Sequence, residues 1–137
     1  MKSLFVSLFC FIALTALAGG PTKITDINAA LAKAKAEKKL LFLQIGKADC
    51  DNCNELRGMV ARGKVKLPDS QFVYADVDYD DGATLKVFRR NFKVLGVVLP
   101  FVVVASPEGK QLSARYGRGT PEDFADLIAK AQAKLSH

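Results

Sequence analysis

A continuous apolar segment followed at once by two closely spaced cysteines is the feature that most restricts the fold of this chain. The segment "LLFLQI", residues 40–45, shows no polar alternation, and Gly46 ends it. Such a run is typical of a central strand that is covered on both faces. The pair "CDNC" follows, and a helical pattern begins there. The sequence therefore predicts a strand–turn–helix unit, with Cys50 at the helix start and Cys53 one turn further in.

Helical and strand patterns alternate along the rest of the chain. Apolar residues at helical spacing predict helices that begin near Asp26, at Cys50, near residue 81 and after Thr120. Further strands are predicted at residues 71–77, 100–105 and 110–116, and the last two form a hairpin. The order α-β-α-β-α-β-β-α predicts an α/β fold with a mixed sheet. Residues 19–25 are expected to form a short tether.

The N-terminal sequence has the pattern of a secretory signal peptide. One lysine precedes a continuous apolar stretch that ends in Ala16-Leu17-Ala18, with small residues at the cleavage positions. A membrane anchor is the alternative, but the stretch is short for a span of roughly 20 residues. We therefore divide the chain into a signal peptide, residues 1–18, and one domain, residues 19–137. The mature protein is expected to be periplasmic or secreted, without stable membrane insertion.

The charge of the chain is positive but spread out. The net charge is +6, yet the basic residues fall on a helix face in "LAKAKAEKK" and in a loop, while "DVDYDD" is acidic. Such a distribution is typical of solvated surfaces and argues against nucleic-acid binding.

The C-x-x-C pair could serve as a structural staple, a metal site, a hydrolase nucleophile or an electron-exchange centre. A staple would close too small a loop to restrict the unfolded chain much. Structural zinc needs four Cys or His ligands and a hydrolase needs a nearby base, but the chain's single histidine is the terminal His137. A helix N-terminus favours the thiolate of Cys50. We therefore expect no metal and no cofactor, and we favour dithiol–disulfide exchange in which Cys50 attacks and Cys53 resolves.

With these features, residues 19–137 resemble the thioredoxin-like superfamily over nearly their whole length. The segments that carry the resemblance are "LLFLQI", "CDNC", "FVYADVD", "GVVLPFVVVASPEGK" and "ARYGRGTPEDFADLIAKA". The short span between the cysteines and "FVYADVD" is similar to that of exported thioredoxin-related proteins. The resemblance implies a thioredoxin-like fold, with a central mixed sheet flanked by helices on both faces, and thiol–disulfide oxidoreductase activity. It also implies a cis peptide bond before Pro100.

The resemblance further suggests how substrates bind and who the partners are. In the family, a substrate segment pairs with the backbone beside the cis-proline, which here would be that of Leu99 and Pro100. For Leu99, ordinary core packing is an equally good interpretation. The implied partners are protein thiols or disulfides and a redox partner protein, such as a membrane reductase. The alternative is a non-catalytic binding module whose cysteines are structural or vestigial.

Three departures from the family pattern bear on activity. Asp49 replaces the usual Trp, and Asp51-Asn52 replaces the usual Gly-Pro. The two carboxylates oppose ionisation of Cys50, which favours a reductase or an electron carrier over an oxidase. Gln44 replaces a buried acid that is thought to take up the proton of the resolving cysteine. An amide cannot do this at neutral pH, so we expect slow resolution by Cys53 unless water reaches it.

Cleavage after Ala18 gives the first testable prediction. When an exporting host secretes the protein, its intact mass should correspond to a chain that begins at Gly19. A secreted protein whose mass retains residues 1–18 would contradict the proposed cleavage site.

Overall fold

The computed structural model describes residues 20–136, which form four helices and five strands. The helices are α1 (Ile27–Glu37), α2 (Asp51–Ala61), α3 (Gly82–Asn91) and α4 (Pro121–Leu135). The strands are β1 (Lys23–Ile24), β2 (Leu40–Gly46), β3 (Phe72–Asp78), β4 (Phe101–Ala105) and β5 (Gln111–Tyr116). The predicted signal peptide, residues 1–18, lies outside the described residues, as does His137. None of the described helices combines the length and apolar character needed to cross a membrane.

The strands form one mixed sheet in the order β1-β3-β2-β4-β5. The central strand β2 runs parallel to β3 and antiparallel to β4. β1 pairs in parallel with the far side of β3, and β5 pairs with β4 as the predicted hairpin. All seven residues of β2 are buried, as expected for a strand that has a neighbour on each side and cover on both faces. The predicted mixed α/β fold is confirmed.

Apolar layers pack on both faces of the sheet, because alternate residues of a strand point to opposite sides. On one face, the ring of Phe42 lies 6.1 Å from that of Tyr74 and 6.5 Å from that of Phe124. Leu56 of α2 and Leu127 of α4 belong to the same layer. The other layer buries one side of α1 and α3, with Ile27, Ala30, Ala34 and Phe88. Helix α2 is thereby fixed on the Phe42 face, where it starts just after β2 ends.

The predicted order of elements is confirmed, with one correction at the N-terminal end. The segment predicted as a tether contains β1, in which Lys23 is paired with Tyr74 and Ile24 with Ala75. A strand of two residues is too short for any alternation to show in the sequence, so the prediction missed it. Lys23 also places its Nζ 3.6 Å from the carboxylate of Asp76.

Candidate functional site

Cys50 occupies the N-cap position of α2, directly before the first helical residue. Its backbone is extended, and its sulfur accepts a hydrogen bond from the Cys53 N–H at 3.2 Å. The first N–H groups of a helix lack partners within the helix and lie at the positive end of its dipole. Because a negative sulfur is the better acceptor, this position favours the thiolate of Cys50 once the disulfide is reduced.

Cys53 is fully buried and is disulfide-bonded to Cys50, with the two Cα atoms 5.2 Å apart. Gly46, the last residue of β2, makes room for it. A Cβ atom at this position would lie 2.5 Å from the Cys53 Sγ and 3.0 Å from its Cβ, so a side chain there would displace the cysteine. Cys50 remains partly exposed. This difference in exposure fits the predicted division into an attacking and a resolving sulfur, which stays a prediction.

The segment around Pro100 is tied to the cysteine pair by Asn52. The Leu99–Pro100 peptide bond is cis, which confirms the expectation from the resemblance. The Asn52 side-chain amide donates to the Leu99 carbonyl at 3.3 Å. Pro100 is buried just before β4, and its carbonyl accepts from the Gly117 N–H at 2.9 Å. The Leu99 carbonyl, for which substrate binding and core packing were equally good interpretations, therefore already accepts one hydrogen bond, from Asn52.

Gln44 is a fully buried amide with a partner at each end. Its Nε2 donates to the Cys53 carbonyl at 3.0 Å, and its Oε1 accepts from the Tyr74 hydroxyl at 3.2 Å. Burial raises the pKa of Tyr74, and the carboxylate of Asp76 raises it further. Tyr74 therefore stays protonated and serves as a donor. Gln44 thus anchors the first turn of α2 to the sheet through neutral hydrogen bonds.

An ion pair between Arg57 and Asp76 lies on the same face of the sheet. Arg57 Nε and Nη2 donate to the two carboxylate oxygens of Asp76, at 2.7 and 3.3 Å. Arg57 Nη1 also donates to the Lys47 carbonyl at 3.0 Å and to the Asn54 side chain at 2.6 Å. The Asp76 side chain is 7% exposed, so these contacts satisfy an almost buried charge.

The rim of the site carries exposed charges of both signs. Asp49 and Asp51, which flank Cys50, are both exposed. Lys47 Nζ lies 2.9 Å from an Asp80 carboxylate oxygen, and that hydrogen bond raises the pKa of Lys47, with a smaller contribution from Asp49. Water screens such charges, so the effect of Asp49 and Asp51 on Cys50 should be modest. Across residues 20–136, no cluster of three or more His, Cys, Asp and Glu side chains could hold a metal ion.

One disulfide and two hydrogen bonds involve five of the eight residues predicted for the site, and Pro100 is joined to them only through its peptide bond to Leu99. The disulfide joins Cys50 to Cys53, Gln44 bonds the Cys53 backbone, and Asn52 bonds Leu99, which precedes Pro100. Asp49 and Asp51 lie on the rim.

The sequence analysis missed Arg57, Asp76 and Tyr74. Two signals were available: Arg57 follows Cys53 by one helical turn, and Asp76 is the charged residue in the otherwise uncharged run "FVYADV".

Comparison with protein families agrees with this geometry. A family model described as thioredoxin-like matches residues 22–107, which is more than half of the chain. The matched region contains the cysteine pair, Gln44 and the Leu99–Pro100 bond. No curated protein matches the chain.

Solved structures share the fold at low sequence identity. A candidate disulphide-isomerase from Bacteroides thetaiotaomicron is 20% identical, with a TM-score of 0.63 over 85% of this chain and 97% of that one. A mutant thioredoxin from Halobacterium salinarum is 20% identical, with a TM-score of 0.60 over 85% and 95% of the two chains. Thioredoxin f from spinach chloroplast is 14% identical, with a TM-score of 0.61 over 85% and 97%. At these identities the likeness establishes the fold.

The two cysteines should differ in reactivity in the reduced protein. Iodoacetamide should alkylate Cys50 roughly tenfold or more faster than Cys53, because Cys50 is both reachable and favoured as a thiolate. Peptide mapping at short reaction times measures the two rates. Unfolded protein serves as the control and should show similar rates, whereas similar rates in the folded protein would contradict the assigned roles.

Proposed function

Since the chain belongs to the thioredoxin-like family, we propose that it is a thiol–disulfide oxidoreductase acting on protein thiols and disulfides. The observation that carries the proposal is a partly exposed sulfur at a helix N-terminus, bonded to a fully buried one. Cys50 can ionise and meet a substrate, whereas Cys53 can react inward with Cys50.

The reaction needs two exchange steps. The Cys50 thiolate attacks a substrate disulfide, so that a mixed disulfide forms and one substrate thiolate leaves. Cys53 then attacks the Cys50 sulfur, the mixed disulfide breaks, and the second substrate thiolate leaves. Two electrons pass from the protein to the substrate, and a redox partner protein must return them. A membrane reductase of suitable potential is our proposed source.

Substrates are proposed to bind as an added strand beside Leu99. Main-chain hydrogen bonds of this kind tolerate many sequences, which suits an enzyme with several protein substrates. The carbonyl of Leu99 accepts from Asn52 in the oxidised protein, so a substrate N–H must either displace that amide or share the oxygen with it. Asn52 would then act as an internal competitor for the substrate position.

The direction of electron flow and the compartment are further proposals. The carboxylates of Asp49 and Asp51 beside Cys50 favour a reductase or an electron carrier, because they disfavour the thiolate and hence the reduced form. The N-terminal sequence pattern supports export to the periplasm or the exterior. The rival function is a binding module without redox turnover, and the replacement of the family's buried acid by Gln44 is the observation that favours it.

Insulin reduction by dithiothreitol separates the two functions. The parent protein should accelerate precipitation, while Cys50→Ser should have no effect beyond dithiothreitol alone. In a separate reaction, Cys53→Ser that has been reduced and then freed of dithiothreitol should accumulate a covalent mixed disulfide with insulin, because the attacking sulfur remains and the resolving one is gone. Mass spectrometry under non-reducing conditions measures the adduct. Precipitation at the same rate with parent and Cys50→Ser would favour the binding module.

The competitor role of Asn52 predicts the effect of Asn52→Ala. One net hydrogen bond is worth about 0.5–1.5 kcal/mol, so removing the competing amide should lower KM for a protein disulfide about two- to tenfold. Asn91→Ala is the matched control, because the Asn91 amide bonds the carbonyl of Val87 within α3. A higher KM for Asn52→Ala than for the parent would mean that Asn52 instead holds the Leu99 segment in the conformation that binds substrate.

A further inference from the structure

Cys53 must lose a proton before it can resolve a mixed disulfide, and its surroundings oppose this. The side chain is fully buried, and burial disfavours a charged sulfur. The neighbouring Gln44 is an amide, and the Tyr74 hydroxyl already donates to it. Neither group can take up the proton at neutral pH. The proposed function therefore requires another source of stabilisation for the Cys53 thiolate.

We propose that Arg57 stabilises the thiolate of Cys53, and that the polar cleft beside Gly46 carries the proton to solvent. This inference rests on the proposed function and concerns its second step. Cys53 and Arg57 are four residues apart on α2, which places them on the same face of the helix. Helical side chains lean toward the N-terminus, so the guanidinium of Arg57 reaches back toward Cys53.

The space above Gly46 shows how near the two groups are. A Cβ atom at residue 46 would lie 2.5 Å from the Cys53 Sγ and 3.7 Å from Arg57 Nη2. The sulfur and the guanidinium therefore both lie next to the position that a Cβ atom of residue 46 would take. Because Gly46 has no side chain, it does not separate them. A positive charge at this range favours the thiolate of a neighbouring cysteine.

The guanidinium is held where it can act. Asp76 binds it through two hydrogen bonds, while the Lys47 carbonyl and the Asn54 side chain bind its third nitrogen. Arg57 cannot turn away from Gly46 without breaking these contacts. In this arrangement Asp76 is a positioning residue, because it acts on Cys53 through Arg57.

The ion pair lines an open cleft of about 410 Å³ that also touches Gly46. Its outer wall consists of the exposed residues Lys23, Thr25, Ala48, Asn54 and Asp78. Water in the cleft can therefore reach Gly46 and Arg57, the two residues that border the buried sulfur of Cys53. The sequence analysis named access of water to Cys53 as the exception to slow resolution.

The charges that line the cleft balance, because Arg57 and Lys23 are positive while Asp76 and Asp78 are negative, but the charged group nearest the Gly46 position beside Cys53 is the guanidinium of Arg57. Arg57 on α2 and Lys23 on β1 both contact Asp76 on β3. The facing residues of β2 and β4 are the uncharged Gln44 and Val102, and Tyr74 on β3 is neutral. Asp49 and Asp51 lie on the exposed rim, where screening weakens them.

The step can be followed with dithiobis-nitrobenzoate, an aromatic disulfide, at equimolar concentration in a Cys10→Ser background. Cys50 attacks the reagent and releases one coloured thiolate. Cys53 then gives its proton to cleft water and attacks Cys50; the protein disulfide forms, the mixed disulfide breaks, and a second coloured thiolate leaves. The two phases report attack and resolution separately.

Arg57→Gln should slow the second phase roughly tenfold near neutral pH and move its pH profile to higher pH, with the first phase little changed. The profile moves to higher pH because the Cys53 thiolate is less favoured without Arg57, so a more alkaline solution is needed to reach the same thiolate fraction. Arg57→Lys keeps a positive charge and should retain most of the rate. Arg62→Gln removes the same charge from an exposed position at the C-terminal cap of α2 and is the matched control.

Loss of Arg57 leaves Asp76 with one exposed partner, so folding must be checked by circular dichroism. The double variant Arg57→Gln/Asp76→Asn avoids an unpaired carboxylate and should show the same slow second phase. An unchanged second phase in either folded variant, or a loss in Arg57→Lys equal to that in Arg57→Gln, would overturn the inference alone. A parent protein without a second phase would overturn the proposed function as well.

Discussion

The contact between Gly46 and the Cys53 sulfur is the constraint on which the site depends. The backbone of β2 is fixed by pairing with β3 on one side and β4 on the other. Helix α2 can pack over its end because Gly46 has no side chain to meet the buried sulfur. That packing fixes the N-terminus of α2. It therefore also fixes Cys50 and the Cys53 N–H group, which donates a hydrogen bond to the Cys50 sulfur. The reactivity of the exposed cysteine therefore follows from how the buried one is accommodated.

The sequence was most informative where one local signal dictated the structure. The run over β2, apolar except for Gln44, and the helix start after Thr120 predicted a buried strand and a capped helix, and both are present. β1 was missed because two residues carry no periodicity. The contacts of Arg57 were missed for a different reason. Its partner Asp76 is distant in sequence, and the register that brings them together depends on the whole sheet. Local patterns thus predicted the position of the cysteine pair but not the nearby ion pair of Arg57 and Asp76.

Two polar pairs near Cys53, Gln44 with Tyr74 and Arg57 with Asp76, share the roles that a single buried acid could fill. Gln44 and Tyr74 form a neutral pair in the buried interior, where an ionised group would cost several kcal/mol without a partner. The charged pair lies instead beside the cleft, where the side chain of Arg57 is 24% exposed. Neutral hydrogen bonds hold α2 to the sheet with little desolvation penalty, and the charges of Arg57 and Asp76 lie where water can solvate them.

The location of Arg57 bears on both halves of a redox cycle. When the protein reduces a substrate, a stabilised Cys53 thiolate is a more abundant attacking group. When a partner regenerates the dithiol by attacking Cys50, the sulfur of Cys53 is the leaving group, and thiolates that are more stable leave faster. As long as reduced Cys53 rests as a thiol, one fixed guanidinium would therefore speed resolution and regeneration alike, because both steps pass through the same thiolate. A carrier that must be reduced and oxidised in turn needs this symmetry, whereas the reduction potential depends on how strongly both sulfurs are stabilised relative to the disulfide.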